Sequence, residues 1–361
     1  VSLSTITPQQ ALNAIQRNRL TLLDIRQPHE QLQGMVEGSI AVLPEALKDW
    51  CNQNEEIELG LICQRGVRSE RLCQTLSSTF DRVVSVQGGI EAWLDADLPL
   101  VRPDSRLDAA EVQRYRAQLA LPAIGIEGQV RLKRSRVLVI GAGGLGCPAA
   151  MYLAAAGVGH LSIVDHDRVE LSNLQRQVLH SIERLGVNKA LSAQQRLSGL
   201  NDQIRIEAHP MRADSASIRT LVDRHDLIVD GSDNYATRYL VNQACLKAAK
   251  PLVYGAVEQF AGQLSLFDFS VRQPHSSPCY ECLFPAHEHA GEAPSCSERG
   301  VLGALPGLIG CMQAIETIKW LSNVGESLCG RLLTVNAMTM QFRETRLDRD
   351  PACSACAQNS S

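Results

Sequence analysis

Three groups of residues in this chain have the types and spacing that chemistry requires. Gly141-Ala142-Gly143-Gly144-Leu145-Gly146 follows the apolar run ending at Ile140 and opens a helical stretch, so Gly141, Gly143, Gly144 and Gly146 can bring backbone N–H groups against a phosphate at a helix N-terminus. Asp165 ends the next apolar run, where a carboxylate can accept hydrogen bonds from the ribose hydroxyls of either a dinucleotide or ATP. The residues beyond it favour ATP. A triphosphate attacked at its α-phosphorus needs cations on its phosphates and a carboxylate for magnesium; Arg176 and Lys189 are candidates for the first, and Asp233, in Asp230-Gly231-Ser232-Asp233-Asn234, for the second. Hydride transfer in a dehydrogenase needs none of these charges.

The second group is two Cys-x-x-Cys pairs, Cys279-Tyr280-Glu281-Cys282 and Cys353-Ser354-Ala355-Cys356. Each can give two thiolates to one tetrahedral zinc, and four thiolates close the shell, which makes the expected zinc structural. The third is the loop Cys63-Gln64-Arg65-Gly66-Val67-Arg68, which bends from a strand end into a helix start. Its N–H groups, the helix dipole, Arg65 and Arg68 would stabilise a thiolate or persulfide at Cys63. Cys296 lies in a polar stretch that reads as a loop, where a thiol becomes reactive only if its pKa is lowered. Cys51, Cys73, Cys147, Cys245, Cys311 and Cys329 stand in apolar or helical contexts and are expected in the core.

The elements that must position these groups read as α/β. Thr7-Pro8-Gln9-Gln10 is an N-cap with proline at the first helical position and Gln10 placed to close a capping box, starting a helix to about Asn18. Strands are expected at Leu20–Ile25, Glu58–Ile62 and Arg82–Val86, with a helix over Ser69–Ser77. They are expected again at Arg136–Ile140, Leu161–Val164, Ile204–Ala208, Leu227–Val229 and Leu252–Gly255, with helices at Pro148–Ala156 and Asn188–Leu200. Strands alternating with helices mean parallel sheets. The 361 residues predict two domains, 1–100 and 110–361, joined at the polar, proline-bearing stretch 101–109. A net charge of −4 without a basic block argues against a nucleic-acid partner. Neither a membrane-length apolar run nor signal-peptide regions after Val1 are present, so no membrane and a cytoplasmic location are expected. In that reducing compartment the twelve cysteines are expected to bind metal or act as thiols.

From Arg114 to Cys356 the chain resembles the adenylyltransferases that activate ubiquitin-like proteins, in particular the molybdopterin-synthase and thiamine-thiazole adenylyltransferases. The resemblance is carried by Gly-Ala-Gly-Gly-Leu-Gly-Cys-Pro at 141–148, Ser-Asn-Leu-Gln-Arg-Gln at 172–177, Ser-Asp-Asn at 232–234 and Gly-Gln-Leu-Ser at 262–265. It implies a Rossmann-like fold with a structural zinc, Asp165 on the ribose, Asn173, Arg176 and Lys189 on the phosphates, and Asp233 with neighbouring Asn234 at the magnesium. It also implies a homodimer, and a small sulfur-carrier protein ending in Gly-Gly as the partner whose carboxylate attacks ATP. Cys296 matches the loop cysteine linked in some members to sulfur transfer. The chain departs from the family where an arginine is expected: Arg114-Tyr115-Arg116-Ala117-Gln118 places Ala117 there. Residues 1–100, through Leu23–Glu30, the Cys63 loop and Val86–Trp93, resemble rhodanese domains, which implies a sulfurtransferase fed by a persulfide donor. Asp24 and Arg26 are expected to form a structural ion pair. Fusions in the family place the rhodanese after the adenylyltransferase; here it comes first. A non-catalytic sulfur-relay scaffold and carriers of the thiamine or another sulfur pathway stay open as alternatives.

Overall fold

The computed structural model describes residues 5–54, 58–80, 82–270, 277–285 and 300–357. It divides into two compact units, Val1–Ile126 and Glu127–Ser361. No helix among the described residues is long and apolar enough to cross a membrane.

The first unit is built on β1 (Thr5–Ile6), β2 (Thr21–Asp24), β3 (Ile40–Ala41), β4 (Leu59–Ile62) and β5 (Val83–Val86), all parallel, in the order β1-β5-β4-β2-β3. The helix Pro8–Gln16 starts with the expected capping box between Thr7 and Gln10. Both faces of the central strands are covered, so they read as continuous apolar runs. Asp24 and Arg26 are the expected ion pair: Arg26 is 1% exposed, its Nη2 is 2.6 Å from Asp24 Oδ2, and its other N–H groups reach the carbonyls of Glu30 and Gly34. This fully paired buried charge fixes the turn after β2. Val101, at the start of the expected linker, exchanges backbone hydrogen bonds with Met35 within this unit.

The second unit is an eight-stranded sheet in the order β13-β12-β11-β10-β9-β6-β7-β8. β6 (Arg136–Ile140), β7 (His160–Val164), β8 (Arg205–His209), β9 (Leu227–Asp230) and β10 (Leu252–Glu258) are parallel. β11 (Ala261–Phe267), β12 (Arg331–Asn336) and β13 (Gln341–Arg346) extend it antiparallel. Alternation along β6 divides the core: Val137 and Val139 pack with the helices Gly146–Ala156, Lys189–Leu200 and Ala304–Ser322, while Leu138 and Ile140 pack with Ser215–Asp223 and Tyr235–Ala248. Because β6 lies between β7 and β9, chain order reverses there, and the crevice beyond the carboxyl ends of β6 and β9 is where such sheets bind ligands.

Candidate functional site

Gly141 begins the loop in that crevice with φ at +88°, a conformation that favours glycine, and a Cβ there would lie 2.8 Å from the Gly231 carbonyl oxygen. A Cβ on Gly146 would overlap the Gly141 carbonyl, and one on Gly144 would press to 3.0 Å of Pro306. These three glycines therefore serve backbone packing. Gly143 differs: its Cβ position meets only Gln177 Nε2, at 3.8 Å, so here the loop is open to a ligand.

Asp165, at the end of β7, turns its carboxylate back onto the loop, accepting from the Ala142 N–H at 2.7 Å and the Asp167 N–H at 2.8 Å. Burial raises its pKa, and those hydrogen bonds and the nearby Lys189 charge oppose the rise. Lys189, the first residue of its helix and nearly buried, donates to Asp167 Oδ2 at 2.9 Å. Burial would raise the Asp167 carboxyl, but the Lys189 hydrogen bond and charge, with His166 and Arg212, hold it below the usual range. Asp165, His166 and Asp167 bring three potential metal donors together, with Lys189 already on one of them.

The segment at 172–177 lies beside the loop. Arg176 Cδ is 3.6 Å from the Gly144 Cβ position, and its guanidinium donates to the Ser172 carbonyl at 3.1 Å. Asn173 is buried, with its side-chain oxygen accepting from the Glu170 N–H at 3.2 Å. On the other wall Asp233 is exposed, with a long 3.5 Å contact from Asn234 Nδ2. Asn234 caps the helix Tyr235–Ala248, its oxygen accepting from the Thr237 N–H at 2.9 Å. Among the described residues the buried Gln177 Oε1 has no hydrogen-bond partner, which leaves a polar atom beside the crevice for a polar ligand.

Sequence reasoning missed Arg238, one turn into that helix. Its guanidinium donates to the Ser232 carbonyl at 3.1 Å and lies over the Tyr254 ring at 5.6 Å, beside the buried Asp230. The spacing of Asn234, Arg238 and Asn242 on one helix face was the available signal. The motif at 262–265 lies in β11 and serves packing: a Cβ on Gly262 would come within 2.7 Å of Ile309, and Ser265 Oγ donates to the Arg331 carbonyl.

The two Cys-x-x-Cys pairs converge. Cys279 and Cys353 sulfurs are 3.6 Å apart, Cys282 and Cys356 3.5 Å, and Cys279 and Cys282 3.8 Å. Bonds of about 2.3 Å to a tetrahedral zinc put ligand sulfurs about 3.8 Å apart, so the cluster fits that ion. Glu281, inside the first pair, contacts Asn242 Nδ2 at 3.5 Å and Ser354 Oγ at 3.4 Å, linking cluster, tail and helix.

In the first unit Cys63 directly follows β4 and is 1% exposed. Its sulfur accepts from the Ser69 N–H at 3.4 Å and lies 3.5 Å from Ser69 Oγ, to which Ser85 Oγ donates at 2.8 Å. Gly66 and Gly89 back the loop so closely that a Cβ on either would strike the other's neighbourhood, and the Ile90 N–H donates to the Cys63 carbonyl. Glu30 holds Arg68 through both carboxylate oxygens, at 2.6 and 2.8 Å, while the same guanidinium also interacts with the Cys63 sulfur; Arg65 is exposed. The hydroxyls of Ser69 and Ser85 were not anticipated. Cys51, Cys73, Cys147 and Cys245 are buried; Cys311 and Cys329 are half-buried, and Cys296 lies outside the described residues.

The ThiF family matches residues 115–355, and the rhodanese-like domain matches residues 7–96. A sulfur carrier protein adenylyltransferase of Thermus thermophilus is 48% identical over 68% of this chain and 91% of its own length. The adenylyltransferase and sulfurtransferase MOCS3 of Anopheles gambiae is 45% identical over 70% of this chain, which spans 57% of that protein. The probable adenylyltransferase/sulfurtransferase MoeZ of Mycobacterium tuberculosis is 45% identical over 70% of this chain and 64% of its own length. The crystal structure of E. coli MccB with ATP shares the fold, with a TM-score of 0.57 at 22% identity over 70% of this chain and 74% of that one. By sequence, this chain belongs to the ThiF family and carries a rhodanese-like domain in front of the ThiF region.

Proposed function

We propose that this chain uses ATP to adenylate the C-terminal glycine carboxylate of a ubiquitin-like sulfur-carrier protein ending in Gly-Gly, and that Cys63 supplies the sulfur for its conversion to a thiocarboxylate. What supports this reading is the open Gly143 in the switch-point crevice, with Arg176 against the neighbouring Gly144, Lys189 bonded to Asp167 just beyond the Asp165 that holds Ala142, and Asp233 three residues past the end of β9. Arg176 and Lys189 would hold the phosphates and Asp165 the ribose, with Asn173 fixing the segment that carries Arg176. Asp233 would hold magnesium, and Asn234 sets the helix start beside it. Magnesium, when bound, would offset charge on the triphosphate. Relatives named as sulfur carrier protein adenylyltransferase and as adenylyltransferase and sulfurtransferase support the substrate class. We assign residues 1–100 to sulfur handling, 101–109 to a linker and 110–361 to adenylation, in a cytoplasmic homodimer served by a persulfide donor protein. Molybdopterin cofactor biosynthesis is the pathway we favour, with thiamine or another sulfur pathway as the alternative.

The test is exchange of labelled pyrophosphate into ATP with magnesium and a candidate carrier. Exchange should require the carrier's terminal Gly-Gly, and a carrier shortened by that pair should give none. Absence of exchange with every carrier that binds would support a non-catalytic scaffold instead, consistent with Ala117 in place of the family arginine.

The four-cysteine cluster leads to a second prediction. We expect about one zinc per chain, held by Cys279, Cys282, Cys353 and Cys356, since each pair supplies half of a tetrahedral shell. Chelation should lower the melting temperature by about 10 °C, because loss of a structural zinc costs several kcal/mol and each shifts a unit of this size by roughly 2–4 °C. A zinc-free chain that melts and exchanges unchanged would remove the metal from the proposal.

A further inference from the structure

We infer that His180 is a positioning residue for adenylation: its imidazole clamps the Ala142 carbonyl, sets the nucleotide loop, and ties that loop to the segments that carry Arg176 and Lys189. The inference rests on the ATP-dependent reading above. Ala142 is the loop residue between the packed Gly141 and the open Gly143, and its peptide groups are held from both sides. Its N–H donates to Asp165 at 2.7 Å, while its carbonyl accepts from His180 Nε2 at 2.9 Å and from the Cys147 thiol at 3.2 Å.

The tautomer follows from the partners. A carbonyl oxygen can only accept, so Nε2 carries the hydrogen. Nδ1 of the neutral ring is then an acceptor, and the Ser192 hydroxyl donates to it at 2.9 Å. Burial, with the Lys189 charge, pushes the imidazole below its ordinary range against the Ala142 hydrogen bond and Asp165, so the ring is neutral near pH 7. The charged and titratable groups facing it are Asp165, Lys189 and Cys147. Burial raises the Cys147 thiol to about 12, so it stays protonated and keeps donating.

One ring thereby joins three pieces of the crevice. The His180 backbone N–H donates to the Gln177 carbonyl, and the Gln177 and Arg176 backbone N–H groups donate to the Asn173 carbonyl, so the residue that carries the imidazole is tied to the cation-bearing segment. Ser192 lies one helical turn beyond Lys189. His180 acts through the Ala142 peptide, and its effect is on where the Gly143 and Gly144 N–H groups point.

The experiment uses the full chain and measures binding of a non-hydrolysable ATP analogue by calorimetry, with pyrophosphate exchange in parallel. His180→Leu removes the donor at similar volume and should weaken analogue binding about tenfold and raise the KM for ATP, while the KM for the carrier stays unchanged. His180→Gln, whose amide can donate to the Ala142 carbonyl, should recover most of that loss. His180→Glu, of the same shape but without a donor at pH 8, should not. That Gln and Glu pair decides the matter should the Leu variant fail to fold. Equal binding by Gln and Glu variants, or wild-type binding by the Leu variant, overturns the inference. A wild-type chain that binds no analogue would instead overturn the ATP-dependent reading itself, so the two failures are distinct.

Discussion

Cys63→Ala is expected to abolish thiocarboxylate formation on the carrier while leaving pyrophosphate exchange at the wild-type rate. Under the proposed function the two activities would use different residues: exchange would depend on the crevice at β6 and β9, and sulfur handling on Cys63, just after β4. In balanced form, the terminal sulfur of a Cys63 persulfide attacks the acyl carbon of the carrier adenylate, the acyl C–S bond forms and AMP leaves. A second thiol, such as added dithiothreitol, must then cleave the resulting acyl disulfide to free the thiocarboxylate, leaving a mixed disulfide on Cys63. Removing the Cys63 sulfur removes the only atom that can play this part at the loop. The substitution leaves the loop's frame in place, since Gly66 and Gly89 brace it and the Asp24–Arg26 pair fixes the neighbouring turn. Mass spectrometry of the carrier, supplied with thiosulfate or a donor persulfide, reads the outcome. A full yield from Cys63→Ala would make the rhodanese-like domain a passenger, and loss of exchange in the same variant would mean that the domains are structurally coupled. Cys296→Ala should at most slow the later transfer step.

The parallel part of the fold was legible because buried parallel strands are uniformly apolar and short. β6 runs over Arg136–Ile140 as expected, and the helix after Asn188 starts with that residue as its cap, the side chain accepting from the Ala190 and Leu191 N–H groups. The antiparallel extension was not legible. Every residue of β13, Gln341–Arg346, is exposed, so no alternation marks it, and β11 contains the Gly-Gln-Leu-Ser stretch whose glycine looks like a site residue until Ile309 is seen against it. At the site, residue types announced Arg176, Lys189 and Asp233, since charges beside a glycine loop need a reason. Spacing also announced the four cysteines. What the sequence hides is engagement. Lys189 is paired with Asp167, Arg68 with Glu30, and three of the four loop glycines with backbone or Pro306; each pairing joins residues distant in sequence or depends on a backbone angle. His180 and Ser85 were invisible for the same reason, because their partners are a carbonyl and hydroxyls that only the fold brings near.

Asp233→Asn should lower pyrophosphate exchange by roughly a hundredfold or more, the scale on which removal of one group that stabilises developing charge acts. Asp233 is exposed and, among the described residues, its side-chain hydrogen bond is a long 3.5 Å contact to Asn234, so the loss of charge is expected to change folding stability by no more than about 0.5 kcal/mol. The amide keeps the size of the carboxylate but carries no charge for a divalent ion, so the variant's exchange should also need a higher magnesium concentration for half-saturation. Asn234→Ala serves as the contrasting variant. Its side chain caps the helix Tyr235–Ala248, so its loss should cost about 1 kcal/mol of stability and shift melting, with a smaller effect on exchange at saturating magnesium. If Asp233→Asn instead exchanges at the wild-type rate with unchanged magnesium dependence, the metal lies elsewhere. The three donors Asp165, His166 and Asp167 then become the place to look, at the expense of the Lys189 ion pair that now holds Asp167.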